Sequence, residues 1–153
     1  MNFYKPYKNT RLKKYDYHTG YFFITNKTNK AESYLVGNNG DQVKRILLEL
    51  SKVSKGVKVD YLMIMPNHIH CIVVFNEAEL SLSEFWRRFK ALTTFALKKS
   101  GLISESLWQK NYYEHIIRNE VALNRIRKYI EYNPYKENLP LREIYLDIST
   151  SMR

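Results

Sequence analysis

Cysteine is nearly missing: Cys71 is the only one in 153 residues. A disulfide framework and a cysteine-rich zinc centre are therefore both excluded. Cys71 lies inside an apolar run and reads as a buried, inert thiol. Glycine and proline are also scarce, at five and four residues, and no linker, repeat or low-complexity segment divides the chain. No apolar run is long enough to span a bilayer, and the opening "MNFYKPYKNTRLKKYDYHTG" has no apolar signal core. The expected location is the cytoplasm, with no membrane partner. Acidic residues are few, 15 against 25 lysines and arginines, for a net charge of +10.

That charge favours a polyanionic partner, nucleic acid first. Thirteen tyrosines and two tryptophans add rings of the kind that stack on bases, although Trp86 and Trp108 read as core. The length suits one domain with a modest core. Within it, residues 1–18 form a basic, tyrosine-rich arm, 19–134 the core and 135–153 a tail.

Residues 20–26, "GYFFITN", read as a strand from their aromatic and β-branched content. Asp41 is placed to cap a helix whose apolar positions are Val43, Ile46, Leu47 and Leu50, with Gly56 as the stop. Residues 57–65 and 68–75 read as two strands joined by Pro66-Asn67 turn chemistry. Ser81 and Glu84 make a capping box for a helix over 81–100, with Phe85, Phe89, Leu92 and Ala96 as its buried face. Residues 111–119 read as a fourth strand. Asn119 caps a last helix, which Pro134 is expected to end. A short helix near 140–147 is a further expectation. The order is βαββαβ plus one helix: an α+β, ferredoxin-like, four-stranded antiparallel sheet with an additional C-terminal helix.

The unusual strand is "HIHCIVVF". Side chains two apart on a strand share a face, so His68 and His70 project together, with Ile69 opposite. Neutral imidazoles at this spacing can share one metal ion; the alternative is two half-buried histidines that donate to backbone carbonyls. In the last helix Tyr129 and Asn133 are four apart and stack on one face; one offers a nucleophile, the other a neutral oxygen ligand. Spacing alone does not choose among Tyr129, Tyr132, Tyr112 and Tyr113. Arg87, Arg88 and Lys90 are candidates for phosphate contacts from helix 81–100, and His115 is a further site candidate.

"MPNHIH", followed by "LWQKNYYEHIIRNEVALNRIRKYIEYNP", resembles the single-tyrosine HUH transposases, and within them the REP-associated tyrosine transposases, over roughly residues 15–136. The resemblance implies a ferredoxin-like fold and a metal site of His68 and His70 completed by Asn133, holding Mg²⁺ or Mn²⁺. It makes Tyr129 the nucleophile of a single-stranded DNA endonuclease and strand transferase. The intermediate would be a 5′-phosphotyrosine, the substrate a single strand carrying a hairpin, the protein a monomer or homodimer. The spacer after the first strand is shorter than in many members, which bears on how hairpins are gripped. Three alternatives stay open: a catalytically silent nucleic-acid-binding module, a domesticated HUH nuclease with a cellular role, and a two-histidine phosphodiesterase that uses water.

Overall fold

Alternation along the first strand sets the architecture. In the computed structural model, which describes residues 15–136 and 145–147 and side chains through residue 132, β1 spans Gly20–Lys27. Phe22 and Ile24 point to one face and Phe23 and Thr25 to the other, as the pleat requires. A 3-10 turn (Asn29–Ala31) leads to α1 (Gly37–Val53). Then come β2 (Val57–Met65), β3 (His68–Phe75), α2 (Leu82–Lys99), β4 (Tyr113–Ile117), α3 (Glu120–Lys136) and β5 (Tyr145–Asp147). The sheet is antiparallel throughout, in the order β4-β1-β3-β2-β5. Its first four strands are the ferredoxin-like sheet that the element order predicted, and the three-residue β5 extends it beyond β2.

α1 and α2 cover one face. Their core joins Phe22, Ile24, Ile64, Ile69 and Val73 to Leu47, Phe85, Trp86 and Phe89. α3 covers the other face, where Phe23, Met63, Met65 and Ile72 meet Ile126 and Ile130. Both indoles are buried and satisfied, Trp86 donating to Asn26 Oδ1 (2.8 Å) and Trp108 to Thr93 Oγ1 (2.8 Å).

β2 is not regular. The register against β3 shifts between Val59 and Tyr61, so Asp60 is an extra residue, a β-bulge. Val59 stays in the α1/α2 core and Tyr61 enters the α3 side. The turn before β2 requires glycine: Gly56 has φ +80°, and a Cβ there would lie 2.5 Å from the Asn76 carbonyl.

Several boundaries differ from expectation. α1 begins four residues before Asp41, after Val36, with no side-chain cap, so Asp41 is an exposed residue inside the helix. On α2, Ser81 accepts from the Glu84 amide as predicted, but Leu92 is 46 % exposed. The buried stripe runs instead through Leu82, Phe85, Trp86, Phe89, Thr93 and Leu97; Thr93, donating back to the Phe89 carbonyl, hides its hydroxyl. α3 continues through Pro134. Proline past the first turn lacks the N–H that the carbonyl four residues back would accept, and the helix goes only two residues beyond it. The helix expected near 140–147 is not what residues 145–147 adopt: they pair with Ile64, Met63 and Leu62 of β2. Of the arm, residues 1–14 lie outside the described residues, as do 137–144 and 148–153 of the tail.

Candidate active site

The Pro66-Asn67 turn is anchored by its backbone. The Thr28 amide donates to the Asn67 carbonyl (2.9 Å) and the Leu35 amide to the Pro66 carbonyl (2.9 Å). This fixes the point where β3 starts and aims His68 and His70 at the α3 side. Both are buried, at 7 % and 4 % exposure, and their ring centroids are 4.7 Å apart. His70 stacks on Phe23 (5.8 Å, 21°). Its Nδ1 lies 2.8 Å from Thr25 Oγ1, and His68 Nδ1 lies 2.7 Å from Asn67 Oδ1. An oxygen at Nδ1 orients each imidazole, so Nε2 is the ring nitrogen that would coordinate a metal ion. The donor pair thus fits a divalent cation. Among the described residues no group of three His, Cys, Asp or Glu is gathered. Asn133 lies in α3 one turn beyond Tyr129; its side chain is outside the described residues.

Sheet register sorts the tyrosines. Thr25 lies opposite both His70 and Tyr113, so Tyr113 shares the histidine face. Tyr112 turns the other way and packs near Trp86 (5.9 Å). Tyr132 is 64 % exposed. Tyr129, half-buried, sets its ring edge-on to His70 (5.8 Å, 71°) and to Phe23 (6.2 Å, 88°). Tyr113 also meets Phe23 (6.1 Å). Burial, and secondarily the nearness of Tyr129, hold its phenol above the ordinary tyrosine range, so it stays protonated. His115 lies on the same face, opposite Phe23.

α3 is fastened along its β2 side. Arg127 donates to Asp60 through Nε (3.0 Å) and Nη2 (2.6 Å), and Tyr61 donates to Glu131. Hydrogen bonding to Asp60 raises the already high pKa of Arg127. The sequence offered no sign of these partners, since both depend on the bulge at Asp60. Thr25 and Asn67 were also missed. Asn67 read only as turn chemistry, although its neighbour His68 is its partner; register could have found Thr25.

The basic candidates on α2 separate. Arg87 and Arg88 are exposed. Arg87 lines a cleft of about 390 Å³ with Lys90, Lys110 and Tyr112. Lys90 donates to the carbonyls of Gln109 (2.9 Å) and Lys110 (2.8 Å), so it ties α2 to the segment before β4.

No helix among the described residues is long and apolar enough to cross a membrane. Comparisons with known proteins bear on the site. An uncharacterized protein of Haemophilus influenzae is 30 % identical over 159 aligned residues, covering 83 % of this chain and 87 % of that protein. A REP-associated tyrosine transposase of Escherichia coli K12 is 28 % identical over 116 residues, covering 76 % of this chain and 66 % of that protein. Among solved structures, a REP-associated tyrosine transposase bound to a REP hairpin superposes with a TM-score of 0.72 at 23 % identity, over 86 % of this chain and 76 % of that one. A putative transposase from Deinococcus radiodurans superposes at 0.58 and 19 %, over 80 % and 95 %. The family model described as "Transposase IS200 like" matches residues 13–133, a span that holds the histidine strand, the bulge and Tyr129, and the chain belongs to that family of DNA-cutting and rejoining enzymes.

Proposed function

We propose that this protein is a metal-dependent, single-tyrosine transposase that cuts single-stranded DNA beside a hairpin and holds the cut end as a 5′-phosphotyrosine. The observation that carries this reading is the Tyr129 ring set against His70, which brings a phenol to a paired-imidazole face. Tyr129 is the nucleophile. Its oxygen forms a bond to phosphorus, the bond to the 3′ oxygen breaks, and the phenol proton is lost as the leaving oxygen gains one. Bond number is conserved, so a second 3′ hydroxyl reverses the step without an external energy source. His68 and His70, with Asn133 as the neutral third donor, would hold Mg²⁺ or Mn²⁺, which when bound polarises the phosphoryl oxygens. Phe23 stacks on His70 and meets Tyr129 edge-on, so one ring braces both. Imidazole suits the softer cation, so Mn²⁺ is expected to support cleavage at lower concentration than Mg²⁺.

Hairpin recognition is inferred from the REP-associated relative and from the net charge of +10. Arg87 and Arg88 are assigned to the phosphate backbone, and Lys90, through its carbonyl contacts, to shaping that surface. The chain is read as a single catalytic domain, to whose sheet residues 145–147 add an edge strand.

The test is incubation of wild type, Tyr129→Phe and Tyr113→Phe with hairpin single strand, plain single strand and duplex of one sequence. A covalent adduct on a denaturing gel is expected for wild type and Tyr113→Phe with hairpin DNA, and none for Tyr129→Phe. An adduct that survives in Tyr129→Phe, or a linkage to the 3′ end, overturns the assignment.

A further inference from the structure

We propose that Asp60 and Tyr61, brought to one side by the β2 bulge, are positioning residues that set the roll of α3 and thereby aim Tyr129; this rests on Tyr129 being the nucleophile. In a regular strand neighbouring residues point to opposite faces. The register shift between Val59 and Tyr61 lets both residues reach the same helix, Asp60 holding Arg127 and Tyr61 holding Glu131.

Helical geometry shows why this matters. At 3.6 residues per turn, Ile126 and Ile130 form the centre of the buried stripe. Arg127 and Glu131, four apart, lie on one flank; Tyr129 lies on the other. Ile126 and Ile130 rest on Phe23, Met63, Met65 and Ile72. Such apolar attraction is non-directional and by itself singles out no one roll angle. A tyrosine hydroxyl stands roughly 9 Å from the helix axis, so a roll of about 10° shifts it by about 1.5 Å. A displacement of about 1 Å costs about 100-fold in rate.

The fork of Arg127 on both Asp60 oxygens has a fixed geometry, and Tyr61 adds a second fixed point one turn along. Their side chains are largely buried, at 23 % and 9 % exposure for Arg127 and Asp60. A buried pair of this kind adds less to stability than well-packed apolar residues would, and its strength is in specifying one arrangement. Here the specified arrangement is the one that turns Tyr129 toward His70.

The experiment measures single-turnover adduct formation at saturating hairpin DNA, DNA affinity, and amide hydrogen exchange of α3 against α1. Asp60→Asn is expected to lower the adduct rate about 10- to 100-fold, with DNA affinity within about twofold and faster exchange confined to α3. Tyr61→Phe is expected to give a smaller loss of the same kind. Arg127→Lys, which keeps the charge, should recover part of the rate that Arg127→Met loses. An unchanged rate and unchanged α3 exchange in Asp60→Asn would overturn the proposal. So would faster exchange throughout the sheet with loss of DNA binding, which marks a merely structural role. If wild type forms no adduct at Tyr129, the reading of the site fails, while α3 exchange still decides whether the pair fixes the helix.

Discussion

On the face of the sheet covered by α1 and α2, the buried strand side chains are mostly apolar, among them Phe22, Ile24, Val59, Leu62, Ile64, Ile69 and Val73, with Asn26 and Glu114 the polar exceptions. On the α3 face the same strands also contribute apolar groups, Phe23, Met63, Met65 and Ile72, which meet Ile126 and Ile130, but beside them stand Thr25, His68, His70 and Tyr61, and the helix adds Tyr129, Arg127 and Glu131. One face is held by area, which tolerates small shifts. The other adds to its apolar contacts a set of directional bonds, beside the groups proposed to do chemistry. Putting both in one strand costs stability, because buried polar groups gain little net energy when paired and lose much when not. The apolar face must carry the fold so that the second face is able to carry imidazoles.

The sharpest way to break this division is to remove the chemistry and ask whether the fold notices. His70→Ala and His68→Ala are expected to abolish metal-dependent cleavage, and excess chelator should reproduce the loss in wild type. The thermal midpoint should change little by comparison, because the α1/α2 core is untouched. Full cleavage in the presence of chelator would remove the metal from the mechanism. A collapse of folding in both alanine variants would show that the two faces are not separable.

The converse substitution belongs on α2. Phe89 is fully buried and packs on Trp86 (4.6 Å) and Trp108 (5.6 Å). Phe89→Ala is expected to destabilise by about 3–5 kcal/mol in urea unfolding. The adduct rate per folded molecule should stay near wild type. A smaller effect of the same kind is expected at Asn26, which accepts the Trp86 indole N–H. Asn26→Ala leaves that donor buried and is expected to cost about 1–3 kcal/mol. A larger loss of cleavage than of stability in either variant would show that the apolar face reaches into the site.

Legibility in the sequence followed the same division. Strand and helix order, the Ser81 cap and the His68–Ile69–His70 alternation were readable, because each depends on residues close in the chain. The helix face at Leu92 was misread: apolarity suggested burial, yet Thr93 turns inward by satisfying its hydroxyl on its own helix. The start of α1 and its passage over Asp41 were missed, because no capping side chain marks it. Pairing of residues 145–147 with β2 is a long-range event that no local pattern announces. The site was half legible. The histidines stood out by type and spacing and Tyr129 only through the family resemblance, whereas Thr25, Asp60 and Tyr61 acquire their contacts only through register. A bulge is one inserted residue, and nothing in "VKVDYLMIM" distinguishes it from a regular strand.

Cys71 offers the finest test of the comparison, since it sits between His70 and Ile72 but points to the α1/α2 face. Burial pushes its thiol far above the usual cysteine range. The unfolded chain has an ordinary thiol, near pKa 8.5. Below about pH 8.5 both states keep the proton, and the thiol adds no pH dependence to stability. Above it the unfolded state ionises while the folded state does not, so stability falls as pH rises, by up to about 1.4 kcal/mol per pH unit. Urea unfolding of wild type from pH 7 to 10 should show this decline, and Cys71→Ala, less stable at neutral pH because it leaves a small cavity, should show a flatter one. Tyr61 and Tyr113, both raised by burial, extend the fall above about pH 10 in both proteins. Parallel curves for the two proteins between pH 8 and 10 would mean that water reaches Cys71, and that the face assigned to packing is as open as the face assigned to chemistry.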